Sequence, residues 1–164
     1  QIEATDPLLE NKITIFSTVL GKNIFSSKLR FPSLKIFSFD TNWKKGGIKT
    51  DKVKTPKYSK QELKFFEDSF NSIKKMKKFN LKIIKKISYG SLNINQKYYP
   101  KKKFNKIMII ANKIKNSFIV GAHSGTMIGI VFEANYSLCE NDIKNLKLIS
   151  HILKCPISKY KSID

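Results

Sequence analysis

Little in this chain serves metal, redox or nucleophilic chemistry. Its two cysteines, Cys139 and Cys155, lie too far apart for a ligand knuckle and have no second pair beside them, so inert thiols are expected rather than a disulfide or zinc framework. Its two histidines, His123 and His151, belong to no paired metal motif, and a lone histidine carries no ligand set. The sequence holds no GxxxxGK[ST] phosphate loop and no GxSxG elbow, which removes the commonest nucleotide-hydrolysing and acyl-transfer designs. At His123-Ser124-Gly125 a histidine and a serine adjoin at a turn, but neighbouring side chains point apart and no acidic group is placed to orient them. The carboxylates Glu67, Asp68, Glu133 and Glu140 are scattered along the chain and read as surface or capping groups. A non-catalytic protein without metal or cofactor is expected. No apolar run approaches the eighteen or so residues of a membrane span.

Negative charge is scarce as well. Against 32 Lys plus Arg stand 12 Asp plus Glu, for a formal net charge of +20. An excess of this size works against a compact state by self-repulsion unless a polyanion neutralises it, and nucleic acid is the commonest polyanion in a cell. A solvated basic surface and an acidic membrane surface are the competing readings. The lysine count is also raised by what looks like AT-rich coding, since Lys, Asn, Ile and Phe dominate. Arginine is nearly absent, Arg30 being the one exception. Arginine makes bidentate contacts with bases and phosphates, whereas lysine acts as a point charge, so attraction to the phosphate backbone is expected more than base reading.

What is present suffices to fold. Hydrophobic residues make up 41% of 164 residues, with twelve Phe and six Tyr, enough for one domain with a real core. Scattered apolar residues from Ile13 to Phe25 suggest a short helix near 8–20 within an extension over 1–33 that packs on a partner. LKIFSF, 34–39, reads as a strand bounded by Pro32. From Asp40 to Lys57 a basic loop follows, broken by Gly46-Gly47 and Pro56. Its Lys44, Lys45, Lys49, Lys52, Lys54 and Lys57 offer phosphate contacts around Trp43, which either stacks on a base or anchors the loop to the domain.

YSKQELKFFEDSF, 58–70, starts a helix: Ser59 and Glu62 form a capping box. Leu63, Phe66, Phe70, Ile73 and Met76 then fall at helical spacing on one apolar face, and Lys74, Lys75, Lys77 and Lys78 suit the negative end of the helix dipole. LKIIKKI, 81–87, reads as a β-branched strand, followed by a polar link over 88–103. Phe104, Ile107, Ile110, Ala111 and Ile114 give a second amphipathic helix. SFIVG (117–121) and TMIGIVF (126–132) read as strands with HSG as their turn or bulge, and a helix starts near Asn141 and runs through about 146 at least, while Leu146, Leu148 and Ile152 would also suit a strand. This order predicts an α/β (α+β) fold, a sheet of three to four strands packed by two to three helices, with 34–164 as a single RNA-binding domain.

The same segments resemble one family. LKIFSF, the capped helix YSKQELKFFEDSFNSIKK, the expected strand FNLKIIKK, SFIVGAHSGTMIGIVF and the closing LKLISHILKCPISKY are together similar to the ribosomal "L ten" family, the stalk-base proteins of the large subunit. The likeness spans about 34–160 and is nearer the mitochondrial branch. It implies a structural constituent of a mitochondrial large ribosomal subunit that binds rRNA at the stalk base beside the "L eleven" family protein. It places Lys82, Lys85 and Lys86 at the RNA, while charge alone adds Lys101, Lys102 and Lys103. Ile87 stands where the family has the Asn of a Lys-Asn pair, so no Asn contact is carried over. The family's helical extension that recruits acidic stalk dimers has no counterpart before Asp164, so stalk recruitment is not carried over either. The start at Gln1 fits a removed targeting segment and a place in the mitochondrial matrix. An accessory subunit of an organellar membrane complex with a basic docking surface is the alternative.

Overall fold

Leu34 and Ile36 on one side and Phe37 and Phe39 on the other make 34–40 apolar on both faces, and such a strand has to be covered twice. The computed structural model describes residues 14–17, 22–26, 32–43, 56–122 and 125–161. Its elements are β1 (Thr14–Ser17), β2 (Lys22–Ser26), β3 (Leu34–Asp40), α1 (Lys60–Lys75), α2 (Leu81–Tyr98), α3 (Phe104–Lys113), β4 (Ser117–Gly121), β5 (Met127–Glu133), α4 (Glu140–Leu153) and β6 (Ser158–Lys161). Strands β4, β5, β3 and β6 form, in that spatial order, an antiparallel sheet, in keeping with the expected small α/β fold. β1 and β2 pair separately as a hairpin.

Register decides which residues share a face. Phe37 faces Ile130, Phe39 faces Ile128 and Ile119 faces Ile130, all on one side. There they pack with Phe104, Ile107, Ile110 and Ala111 of α3 and with Leu146 and Ile149 of α4. On the other side Ile36 and Phe118 both face Val131, and these pack with Met76, Phe79, Leu81, Ile83 and Ile84. The first cluster is the larger. Phe39, Ile107, Ile130, Phe132 and Ile149 there have no exposed surface at all, and fully burying such a side chain contributes about 1.5–3 kcal/mol.

α2 departs from expectation. LKIIKKI is its first two turns rather than a strand, and the segment read as a polar link continues the helix to Tyr98. Asn80 caps it by accepting from the Ile83 amide at 3.2 Å. The inward residues Ile84, Leu92 and Asn95 recur at helical spacing, and their burial overrides the β preference of the isoleucines. The segment expected as the second strand is therefore helical. Over Thr14–Ser17 the expected helix is likewise replaced by a strand, as the β-branched and aromatic residues Thr14, Ile15 and Phe16 favour. Within this extension the Phe25 ring meets Phe70 of α1 edge-on at 5.8 Å.

The capping box is formed as expected: the Ser59 hydroxyl accepts from the Glu62 amide and the Glu62 carboxylate from the Ser59 amide. Leu63, however, is 54% exposed, because α1 turns Glu62 and Ser69 inward instead. Buried Glu62 ties α1 to the far end of α2, with Lys97 Nζ at 2.7 Å and the Tyr98 hydroxyl at 2.9 Å. α4 runs on past 146 to Leu153 and ends where Lys154 turns left-handed (φ 55°), one residue before Cys155-Pro156. This is a common way to stop a helix. β6 was not anticipated; it pairs with β3 through Ser38 and Ser158.

The hydrogen bonds from Lys97, the Ser59 amide and Tyr98 hold the Glu62 carboxyl at about 2, well below its ordinary value of 4.5. A depressed carboxylate stabilises the fold above its unfolded pKa and ceases to as pH falls through the folded one. Stability is thus expected to drop between about pH 4.5 and pH 2, and urea titrations of Glu62→Gln across that window should show a shallower fall than the parent. At neutral pH, Ile130→Ala should cost about 2–5 kcal/mol in the same assay, as for other fully buried isoleucines.

Candidate nucleic-acid interface

Reading 81–87 as helix changes what its lysines do. On a strand, Lys82, Lys85 and Lys86 divide between two faces. On α2 they stand at i, i+3 and i+4, with Tyr89 at i+7, and share one stripe. Lys82 and Lys86 are exposed and Lys85 is half-buried. Together with Tyr89, Gly90, Phe65 of α1 and Asn112 of α3 they line an open groove of about 540 Å³. Its surface is mainly apolar, the lysines forming the charged part, and no carboxylate lines it.

Two features make this groove electropositive beyond its own three charges. The first turn of α2 contains no acidic residue, so the partial positive charge of the helix N-terminus adds to Lys82 instead of being offset. Just before it, Lys77 and Lys78 are exposed in the link from α1. Cations at a helix N-terminus are unfavourable in isolation, so an anion bound here would relieve them.

Gly90 shapes the groove. A Cβ placed there would come within 2.3 Å of Phe65 Cζ, so the absence of a side chain lets the Phe65 ring lie against the backbone of α2. Phe65 also meets Phe66 edge-on at 5.7 Å, and Phe66 meets Tyr58, which in turn meets Tyr98. This row of aromatic contacts, with the Glu62 hydrogen bonds, fixes α1 beside α2.

The second set of nominated lysines lies beyond the other end of α2. From Lys85 to Tyr98 the helix advances about 20 Å, so the two sets form separate patches. Lys102 donates to Asn42 Oδ1 at 2.8 Å, beside Trp43, a residue 55% exposed rather than tucked into the domain. Lys103 donates to the Ile152 carbonyl, and with Lys101, Lys106, Gln96 and Phe104 it lines a smaller groove of about 340 Å³. The exposed Lys57 is held near this end by its carbonyl, which accepts from the Tyr98 hydroxyl at 2.9 Å.

Lys101 differs from its neighbours Lys102 and Lys103 in burial. It is 4% exposed and its ammonium donates to Asn95 Oδ1 at 3.0 Å, while burial pushes its pKa down. Its amide donates to Gln96 Oε1 and its carbonyl accepts from Gln96 Nε2, which fastens the turn after α2. Its ammonium is thereby committed to this turn, although the residue also borders the groove of Lys103. Lys44, Lys45, Lys49, Lys52 and Lys54 lie outside the described residues, as do His123 and Ser124.

Phe65, Tyr89 and Asn112 were missed in the sequence. The first falls off the apolar stripe assigned to α1, and the second sits in the segment taken for a link. The 82, 85, 86, 89 spacing would have found Tyr89 had the segment been read as helix. Among the described residues no group of three or more His, Cys, Asp or Glu could hold a metal, and no helix is long and apolar enough to cross a membrane. No family model, curated protein or solved structure matches the chain.

Acylation with a water-soluble succinimidyl ester at neutral pH, mapped by mass spectrometry, should modify Lys82, Lys86 and Lys102 readily. Lys101 should be protected by at least an order of magnitude in rate and become reactive only in denaturant.

Proposed function

We propose that this chain is a non-catalytic RNA-binding protein that serves as a structural constituent of a mitochondrial large ribosomal subunit, at its stalk base. The observation that carries the RNA-binding part is the stripe Lys82, Lys85 and Lys86, three cations on one helical face at a helix N-terminus with no carboxylate among the groove residues. In a chain of net charge +20 this is a local field that no carboxylate of the groove lining offsets. Phosphates supply the missing charge, and the release of their counterions supplies the affinity.

The ribosomal part rests on the likeness of segments over about 34–160. The first strand, its capped helix, the amphipathic helix before SFIVG and the strand after it keep their expected types; FNLKIIKK does not. The lysines that the likeness nominates sit together on α2 all the same, so the proposed contact survives the change of element. In such a particle the apolar core positions the basic surfaces, and RNA relieves the self-repulsion that the free chain bears.

The test is sedimentation of the tagged chain from a mitochondrial extract through sucrose, with and without RNase, beside a variant carrying Lys82→Gln, Lys85→Gln and Lys86→Gln. Co-migration with large-subunit rRNA that RNase abolishes is the expected result. With purified single-stranded RNA, the plot of log affinity against log salt should flatten by about 2 in the triple variant, at about 0.7 per lost phosphate contact. Migration with a membrane complex and no crosslinked RNA would overturn the proposal.

A further inference from the structure

The three lysines account for phosphate binding but not for the rings beside them. Phe65 and Tyr89 line the same groove; besides fixing α1 beside α2 and meeting the core, they turn ring surface to it that a phosphate backbone alone does not use. Phe65 is held there by construction, since its ring occupies the space that any side chain at Gly90 would need. A cavity of about 540 Å³ falls within the range of small-ligand sites, about 300–1,000 Å³. It is open, faced mainly by apolar surface and rimmed on one side by cations.

From this juxtaposition we propose that the groove between α1 and α2 receives an unpaired base of single-stranded or looped RNA, stacked against Phe65 or Tyr89, with its flanking phosphates on Lys82, Lys85 and Lys86. This deepens the RNA-binding reading and rests on it. Every base presents a π face, so aromatic walls hold it without regard to sequence. The phosphates flanking a splayed base lie at the mouth of the pocket, where the lysines are. A duplex keeps its bases stacked inside and can offer the same lysines only its backbone, so the groove favours single strands. An acidic peptide would satisfy the charges and leave the rings unused.

The experiment uses the full chain and a short oligouridylate carrying one 2-aminopurine, whose emission is quenched on stacking, with a duplex of equal length and polyglutamate as comparisons. The single strand should bind about tenfold tighter than the duplex with quenched emission, and polyglutamate should compete poorly. Phe65→Leu and Tyr89→Leu should each cost the single strand about fivefold or more, the lower end of what one base–aromatic stack contributes, and should cost the duplex less. Tyr89 also packs against the core, so Gly90→Ala provides a second route. It keeps both rings and raises helix propensity, yet pushes the Phe65 ring out of place, and it should reduce the quench in a folded protein.

Equal affinity for single strand and duplex, with emission unchanged and the lysine variant still weakening both, would overturn the stacking proposal and leave the phosphate-binding reading standing. Displacement by polyglutamate as effective as by RNA would also overturn it, in favour of an acidic protein partner. No measurable affinity for either RNA would overturn both readings.

Discussion

The structure depends on how α2 closes the β4 edge of the sheet. Among the described residues β4 has β5 on one side and no strand on the other, and an edge of unpaired backbone groups is a liability that a covering element removes. α2 lies along it, and the Ser88 hydroxyl donates to the Ile119 carbonyl. Its first half sends Ile84 into the cluster on one face of the sheet and its second half sends Leu92 into the cluster on the other. Gly121 at the end of β4 makes room for this crossing, since a Cβ there would meet Leu92 Cδ2 at 2.5 Å. One helix therefore seals an edge and contributes to both cores. Its remaining face, turned away from the sheet, is where the lysine stripe stands.

That arrangement explains which parts of the fold could be read from the sequence. α1 was legible to its first residue because its start is a local event, the exchange of hydrogen bonds between Ser59 and Glu62. α3 was legible because five apolar residues repeat at helical spacing, and β4 and β5 because their apolar runs are short and bounded. α2 was not. Seven residues rich in isoleucine fit both periods, and the polar residues that follow, among them Ser88, Gly90, Ser91, Asn93 and Asn95, resemble a loop until the sheet edge and Phe65 are set beside them. β6 was missed for the same reason: SKYK has no apolar pattern of its own, and only its pairing with β3 makes it a strand.

The same distinction separates the parts of the candidate interface. Charge is a property of composition, so the lysine clusters could be named from the sequence. Accessibility comes from packing, and it divides the adjacent residues Lys101 and Lys102 between interior and surface. The groove depends on contacts between residues far apart in the chain, Phe65 on Gly90 above all, and no single-segment pattern foretells it.

The two basic patches are joined by the stiffest connector a small protein can offer, an uninterrupted helix that a sheet, a second helix and the Glu62 hydrogen bonds all hold in place. The separation between the patches is therefore a fixed length rather than a distribution. Two weak contacts linked in this way reinforce each other only when the ligand can span them, and lose the advantage when it cannot. If RNA binds as proposed, α2 acts as a ruler: a polyanion that presents charge at both ends of its span gains from avidity, and one too short or wrongly curved is left with a single weak contact.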